Sequence, residues 1–207
     1  SSAFMDESIQ SVLNQSFAEL ELILVDDRST DDSLIRARDL AARDARIAVL
    51  ALPHNQGGGA ARNAGIAAAR GRYVAFLDSD DIWEGDKLAV QLAAMAERKA
   101  GFSYTDYRMA TDDRDGGKTI VSPDRVDYKT LLRNNVIGCS TVIYDRDVLG
   151  TRLFPLIRKR QDFGLWLSIL RDVDFAYRCG PALTRYRVRR DSVSSNKFQA
   201  AAYTWKV

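Results

Sequence analysis

The chain is poor in the residues that build soft-metal sites and disulfides: its 207 residues include two cysteines, Cys139 and Cys179, and one histidine, His54. The cysteines stand apart with no CxxC spacing, which speaks against a zinc site or a redox pair and leaves two thiols expected to be buried. Long apolar runs are missing too. The longest, such as LELILV and YVAFL, fall far short of the roughly 20 residues a membrane-spanning helix needs. The start carries no basic segment followed by an apolar one, as a secretory signal would, so a cytoplasmic protein is expected. No internal repeat or linker divides the sequence. With 46% hydrophobic and 28% charged residues, the composition is that of one well-buried globular domain.

The net charge of +2 hides an asymmetry, with residues 151–207 carrying +8 and residues 1–150 carrying −6. An acidic part can hold a cation and a basic part an anion. RKR at 158–160 and RYRVRR at 185–190 read first as solvated faces or strand edges. The basic residues form neither a reading helix nor an aromatic-interleaved module, so no nucleic-acid partner is expected. No amphipathic basic helix is evident either, although the basic half could lie near anionic lipid as a peripheral membrane contact.

Strands alternate with helices along the first half. Met5, Ile9, Val12 and Leu13 mark one helical face, LELILV is a short apolar strand, and Ser29 to Asp32 offer N-cap residues for a helix through about Arg43. IAVLAL at 47–52 is the next strand, an Ala-rich helix runs from about Gly59 to Gly71, and YVAFL is a third buried strand. Strands apolar on both faces and joined by helices indicate a parallel sheet covered on both sides, with ligands bound beyond the carboxyl ends of its strands. Leu88, Leu92 and Met95 then suggest a helix, FSYTDY and STVIY strands, and TDDRDGGKT a polar loop. Phe163, Trp166, Leu167 and Leu170 give the apolar face of a helix beginning near Asp162.

Two of those strand ends are acidic: Asp26-Asp27, and Asp78-Ser79-Asp80-Asp81 after YVAFL. Clustered carboxylates repel and raise one another's pKa unless a cation, hydrogen-bond donors or water meets them. Mg²⁺ and Mn²⁺ take oxygen ligands, and Mg²⁺ commonly joins one or two carboxylates to substrate phosphates. Both acidic ends are expected to face one cleft. The glycine-rich NQGGGAARNAG lacks the GK[ST] ending of a P-loop, and Arg62 stands where a dinucleotide fingerprint has Gly or Ala. It reads either as a flexible lead into a closely packed helix or as the same helix with Arg62 aimed at the cleft.

In order along the chain, ESIQSVLNQSFAELELILVDDRSTDDS, NQGGGAARNAGIAAARGRYVAFLDSDDIW and RQDFGLWL resemble the successive motifs of the inverting glycosyltransferases of family 2. The resemblance is dense from Glu7 to Leu92 and thins afterwards. It implies a GT-A-like, Rossmann-type α/β fold, a mostly parallel sheet with helices on both faces. The family's opening strand and following loop are expected to be missing, since the chain begins at SSAFMDES. It also implies a single domain over 1–207, with residues 1–100 binding the nucleotide sugar and residues 101–207 the acceptor.

By the same resemblance, Asp27 would contact the nucleotide base with Arg62 supporting that end of the site, and Asp78 would lie by the ribose. Asp80 would coordinate a Mg²⁺ or Mn²⁺ ion on the diphosphate, while Asp81 would order the loop. Asp162 matches the aspartate that acts as general base on the acceptor hydroxyl, and its position also fits a helix N-cap. Many relatives carry His at the position of Arg189; a guanidinium cannot ligate metal, so Arg189 would touch phosphate directly or lie on the surface. The implied partners are a nucleoside-diphosphate sugar and a glycan or lipid-linked acceptor, with the protein at the inner face of the membrane in the second case. Two other readings are a non-catalytic nucleotide-sugar module and a metal-dependent phosphohydrolase or nucleotidyltransferase.

Overall fold

The computed structural model describes residues 2–110 and 117–187. Most of the polar loop TDDRDGGKT and the whole of the segment bearing Arg189 lie outside the described residues. The first half runs α1 (Ser2–Leu13), β1 (Leu22–Asp26), α2 (Ser33–Ala41), β2 (Ile47–Ala51), α3 (Gly58–Ala68), β3 (Tyr73–Ala75), β4 (Ile82–Trp83) and α4 (Lys87–Arg98). The second half runs β5 (Phe102–Ala110), β6 (Thr119–Ile120), β7 (Arg125–Val126), α5 (Tyr128–Arg133), β8 (Ile143–Asp145), α6 (Arg146–Leu149), α7 (Gln161–Ile169) and β9 (Ala176–Arg187).

The α/β class holds, but the sheet is mixed rather than mostly parallel. β1 and β2 pair in parallel as a two-stranded sheet of their own, and a second sheet has the order β3-β8-β5-β9-β4, with β6 on β5 and β7 on β9. In that second sheet β5 and β9 are parallel, and the other ladders are antiparallel. An apolar run records that a strand is buried; the direction of its neighbour is set by a partner far away in sequence. Among the described residues β1 shares no ladder with β3, and all five β1 residues, four of them apolar, are only half-buried.

The principal core lies beneath α7. Phe163, Trp166, Leu167 and Leu170, the stripe expected from sequence, are 1%, 0%, 4% and 5% exposed. Leu165 and Ile169 are fully buried as well, so the helix is enclosed more completely than one stripe implies. Trp166 packs against Phe76, Phe102 and Phe154, with ring centroids 6.1, 5.3 and 6.0 Å away. Full burial of a large apolar side chain contributes ~1.5–3 kcal/mol, so this cluster fixes the start of α7 against the end of β3. A second core joins α1 and α4 to the sheet through Val12, Trp83, Leu88 and Met95.

Lys87 is fully buried there. Its ammonium donates to Gln91 Oε1 at 2.8 Å and lies 4.2 Å from the centre of the Trp83 ring. Burial pushes its pKa down to about 7 from 10.5. Between those values the unfolded chain binds the proton and the fold does not, so stability contributed by this residue rises as pH climbs through that window. Thermal unfolding of the wild type should therefore move upward from neutral pH toward pH ~10 by an increment that Lys87→Met lacks. An identical pH dependence in the variant would place the ammonium in water.

Candidate active site

Helix α3 ties the two acidic strand ends together. Beyond β1, the backbone N–H groups of Gln56 and Gly57 each donate to a carboxylate oxygen of Asp27 at 2.7 Å, and Asn55 Nδ2 donates to the Asp27 carbonyl at 2.8 Å. Gly57 has φ +87°, a conformation that glycine adopts without a steric cost. Asp27 thus fixes the glycine-rich loop at the start of α3. One helical turn further, Arg62 Nη2 reaches Asp78 Oδ1 at 2.5 Å. Arg62 therefore pairs with Asp78 at the second acidic strand end.

The glycines of that loop make room for this reach. A Cβ on Gly59 would lie 3.1 Å from Gln161 Cδ, and one on Gly58 would lie 3.2 Å from Arg62 Nη1. Asn63 uses its amide to bond both backbone groups of Phe154, at 2.7 and 2.9 Å, and the Phe154 ring centroid lies 5.4 Å from the Arg62 guanidinium. The stretch that reads ambiguously in sequence is thus a closely packed helix start whose Arg62 and Asn63 grip the second half.

Asp162 lies in the first turn of α7, and the N-cap is Arg160 in the left-handed region at φ 58°. The N-cap reading of Asp162 is corrected: loop packing sets the helix start two residues earlier. Burial raises the Asp162 pKa, a hydrogen bond from the Phe163 amide and the nearby Arg62 charge oppose the rise, and Asp78 adds to it. Burial also works against the Arg62 charge, but Asp78 and Asp162 hold that guanidinium firmly protonated. Asp78, Arg62 and Asp162 form one electrostatic group. Cys139 belongs to the same surroundings, its thiol raised by burial although Arg62 works in the other direction.

The 78–81 loop is held by residues with no sequence signal for the task. Ser140 Oγ accepts the Asp78 amide at 3.1 Å and donates to Asp81 Oδ2 at 2.5 Å. Ser8 Oγ donates to the carbonyls of Ser79 and Asp81. From β9, the Arg187 amide donates to Asp81 Oδ1 at 3.0 Å, its Nε donates to the Asp80 carbonyl at 3.1 Å, and its Nη2 pairs with Glu7 at 2.7 Å. Arg187 belongs to RYRVRR, read above as a solvated face or edge; its side chain is 14% exposed, because it crosses the loop rather than leaving it. Burial pushes Asp81 up to about 7, with Ser140 opposing and Asp78 adding to the rise. Asp81 orders the loop, as expected.

The donor set suits a hard cation. Asp78 is engaged by Arg62, and Asp81 by Ser140 and Arg187. Asp80 is half-buried between them. Among the described residues no group of three or more His, Cys, Asp or Glu forms a self-sufficient metal cage. An ion here would draw ligands from its substrate, as Mg²⁺ commonly does with phosphates. A cavity lined by Arg98, Asp106, Asp124 and Arg178 lies toward the opposite end of β9 from Arg187. Its two arginines are each paired to a carboxylate, so it offers little net charge to a diphosphate.

This fold recurs among solved glycosyltransferases. Staphylococcus aureus TarS 1–349 in complex with UDP matches with a TM-score of 0.75 at 21% identity, over 90% of this chain and 57% of that one. The mannosyltransferase PcManGT from Pyrobaculum calidifontis, in complex with GDP-Man and Mn²⁺, matches with a TM-score of 0.70 at 18% identity, over 93% of this chain and 55% of that one. The fold is that of GT-A glycosyltransferases. The chain belongs to glycosyl transferase family 2, whose profile matches residues 1–153. TuaG of Bacillus subtilis (strain 168), named as a teichuronic acid biosynthesis glycosyltransferase, is 44% identical over 99% of this chain and 81% of its own length. WfgD of Escherichia coli, named as a UDP-Glc:alpha-D-GlcNAc-diphosphoundecaprenol beta-1,3-glucosyltransferase, is 41% identical over 97% of this chain and 78% of its own.

Proposed function

We propose that this glycosyltransferase moves a sugar from a nucleoside-diphosphate donor to an acceptor hydroxyl by a single inverting displacement, in the synthesis of a cell-surface polysaccharide. The observation that carries the reading is the convergence of Asp78, Arg62 and Asp162 from β3, α3 and α7, with Arg62 bonded to Asp78 and charge-coupled to Asp162. Inversion in one step needs a base on the acceptor side and charge stabilisation on the leaving side. Asp162 takes the acceptor proton. Arg62 opposes the burial that raises the pKa of that carboxyl, and its ion pair holds Asp78 for the donor ribose. Asp27 and the loop it pins form the base end of the site. Residues 1–100 serve the donor and residues 101–207 the acceptor, as one domain.

Asp80 would hold a Mg²⁺ or Mn²⁺ ion, which when bound supplies neutralisation of the charge growing on the departing diphosphate. The Mn²⁺ in the PcManGT complex supports that assignment by analogy of fold. The WfgD and TuaG names support a uridine nucleotide donor, a lipid-linked acceptor and a role in surface glycans. The test is a panel of nucleotide sugars presented with Mn²⁺ and an acceptor carrying a terminal sugar on a lipid diphosphate, read by release of nucleoside diphosphate. Release of pyrophosphate or orthophosphate instead would replace the proposal with a hydrolase or nucleotidyltransferase. Donor binding without turnover on any acceptor would make the chain a binding module.

A further inference from the structure

We infer that the loop between α6 and α7, residues 150–160, is a docking surface for an anionic phospholipid bilayer. Leu153 and Leu156 in this loop are 55% and 77% exposed, while Phe154 between them is 2% exposed. Single exposed leucines are ordinary on a protein surface. These two flank a buried anchor, and their backbone is held in place. Phe154 packs edge-on to Phe76 at 5.0 Å and is bonded through both its backbone groups to Asn63. Arg152 bonds the Leu149 carbonyl and pairs with Asp172 at 2.5 Å, and Gln161 Nε2 donates to the Ile157 carbonyl at 2.6 Å. The chain has been fixed with its leucines outward.

Arg158, Lys159 and Arg160 follow directly: Arg158 is exposed, Lys159 and Arg160 are half-buried, and the Arg160 guanidinium lies 5.9 Å from the centre of the Phe163 ring. Apolar side chains beside clustered cations match the interface of a bilayer rich in anionic headgroups, where the leucines enter the headgroup boundary and the cations meet the negative surface. A protein partner fits less well, because the centres of such interfaces are depleted in charged residues. The loop also leads into the first turn of α7, which bears Asp162. Docking here would set the proposed base close to the lipid–water boundary, where the head of a lipid-linked acceptor lies; that consequence rests on the acceptor proposed above, and the docking itself does not.

Flotation of the full chain with vesicles tests the assignment. The wild type should float with vesicles of phosphatidylcholine mixed with phosphatidylglycerol, and much less with phosphatidylcholine alone. Leu153→Asn with Leu156→Asn should lower the partition coefficient at least about tenfold with the melting temperature preserved. Each single leucine variant should lose part of the binding, and so gives the same answer if the double variant melts early. Arg158→Ala with Lys159→Ala should weaken binding and flatten its dependence on salt. The inference is overturned if the wild type ignores the anionic vesicles, or if the leucine variants float as well as it does. A concentration-dependent dimer dissolved by the leucine substitutions would overturn it too, by assigning the loop to a second copy. Flotation by a chain that transfers no sugar would leave this inference standing and remove the proposed function.

Discussion

Replacing Asp162 with Asn should cut turnover by about 10² to 10⁴, the usual loss when a general base is removed, while leaving affinity for the nucleotide sugar nearly unchanged. The base acts on the acceptor, so binding of the donor and rate of transfer should come apart. Stability should move little: the N-cap of α7 is Arg160, and a charge in the first turn of a helix is worth about 0.3–1 kcal/mol. The pH profile adds a second readout. A base must be ionised to act, so kcat should rise with pH through the Asp162 titration, and burial places that rise above the ordinary carboxylate range. Arg62 opposes the shift, so Arg62→Gln should move the acidic limb further upward. Calorimetric donor affinity, kcat against pH and melting temperature measured on both variants decide the matter; preserved turnover in Asp162→Asn would remove the base assignment.

Asp80→Asn should abolish or nearly abolish transfer, a loss of roughly 10²-fold or more if several kcal/mol of charge stabilisation disappear. The fold should persist, because Asp81, Ser8, Ser140, Arg187 and the Asp80 backbone carbonyl supply contacts that hold this loop whatever the Asp80 side chain carries. Donor affinity in Mn²⁺ should weaken in the variant and approach the affinity of the wild type in EDTA. Asp78→Asn should differ in kind. It loses the ion pair to Arg62, so it should weaken donor binding whether or not metal is present. Undiminished transfer by the wild type in EDTA would take the metal out of the reaction.

Part of this site is legible in a linear reading. A helix period places Phe163, Trp166, Leu167 and Leu170 on one face, and all four are buried. Carboxylates after apolar strands mark Asp27, Asp78 and Asp80 because repulsion makes such clusters costly without a purpose. Other features escape it. The run STVIY reads as a strand from Ser140 to Tyr144, yet Cys139–Thr141 is a 3₁₀ turn and the strand begins at Ile143. Ser140 instead bonds Asp78 and Asp81, contacts that lie about sixty residues away and carry no local signature. Arg187 reads as one more surface arginine until β9 pairs with β4 and brings it over the loop.

What the sequence by itself determined is what depends on near neighbours along the chain: the alternation of strand and helix, the apolar faces, the acidic strand ends, and the ordered motifs that mark family 2. Periodicity and spacing encode these directly. Only the tertiary structure decided which strands run parallel, that α7 starts at a left-handed Arg160, that Arg62 turns to Asp78 and Asp162, and that Leu153 and Leu156 face outward around a buried Phe154. Each of those outcomes is a choice among conformations of similar local energy, settled by packing against residues tens of positions distant.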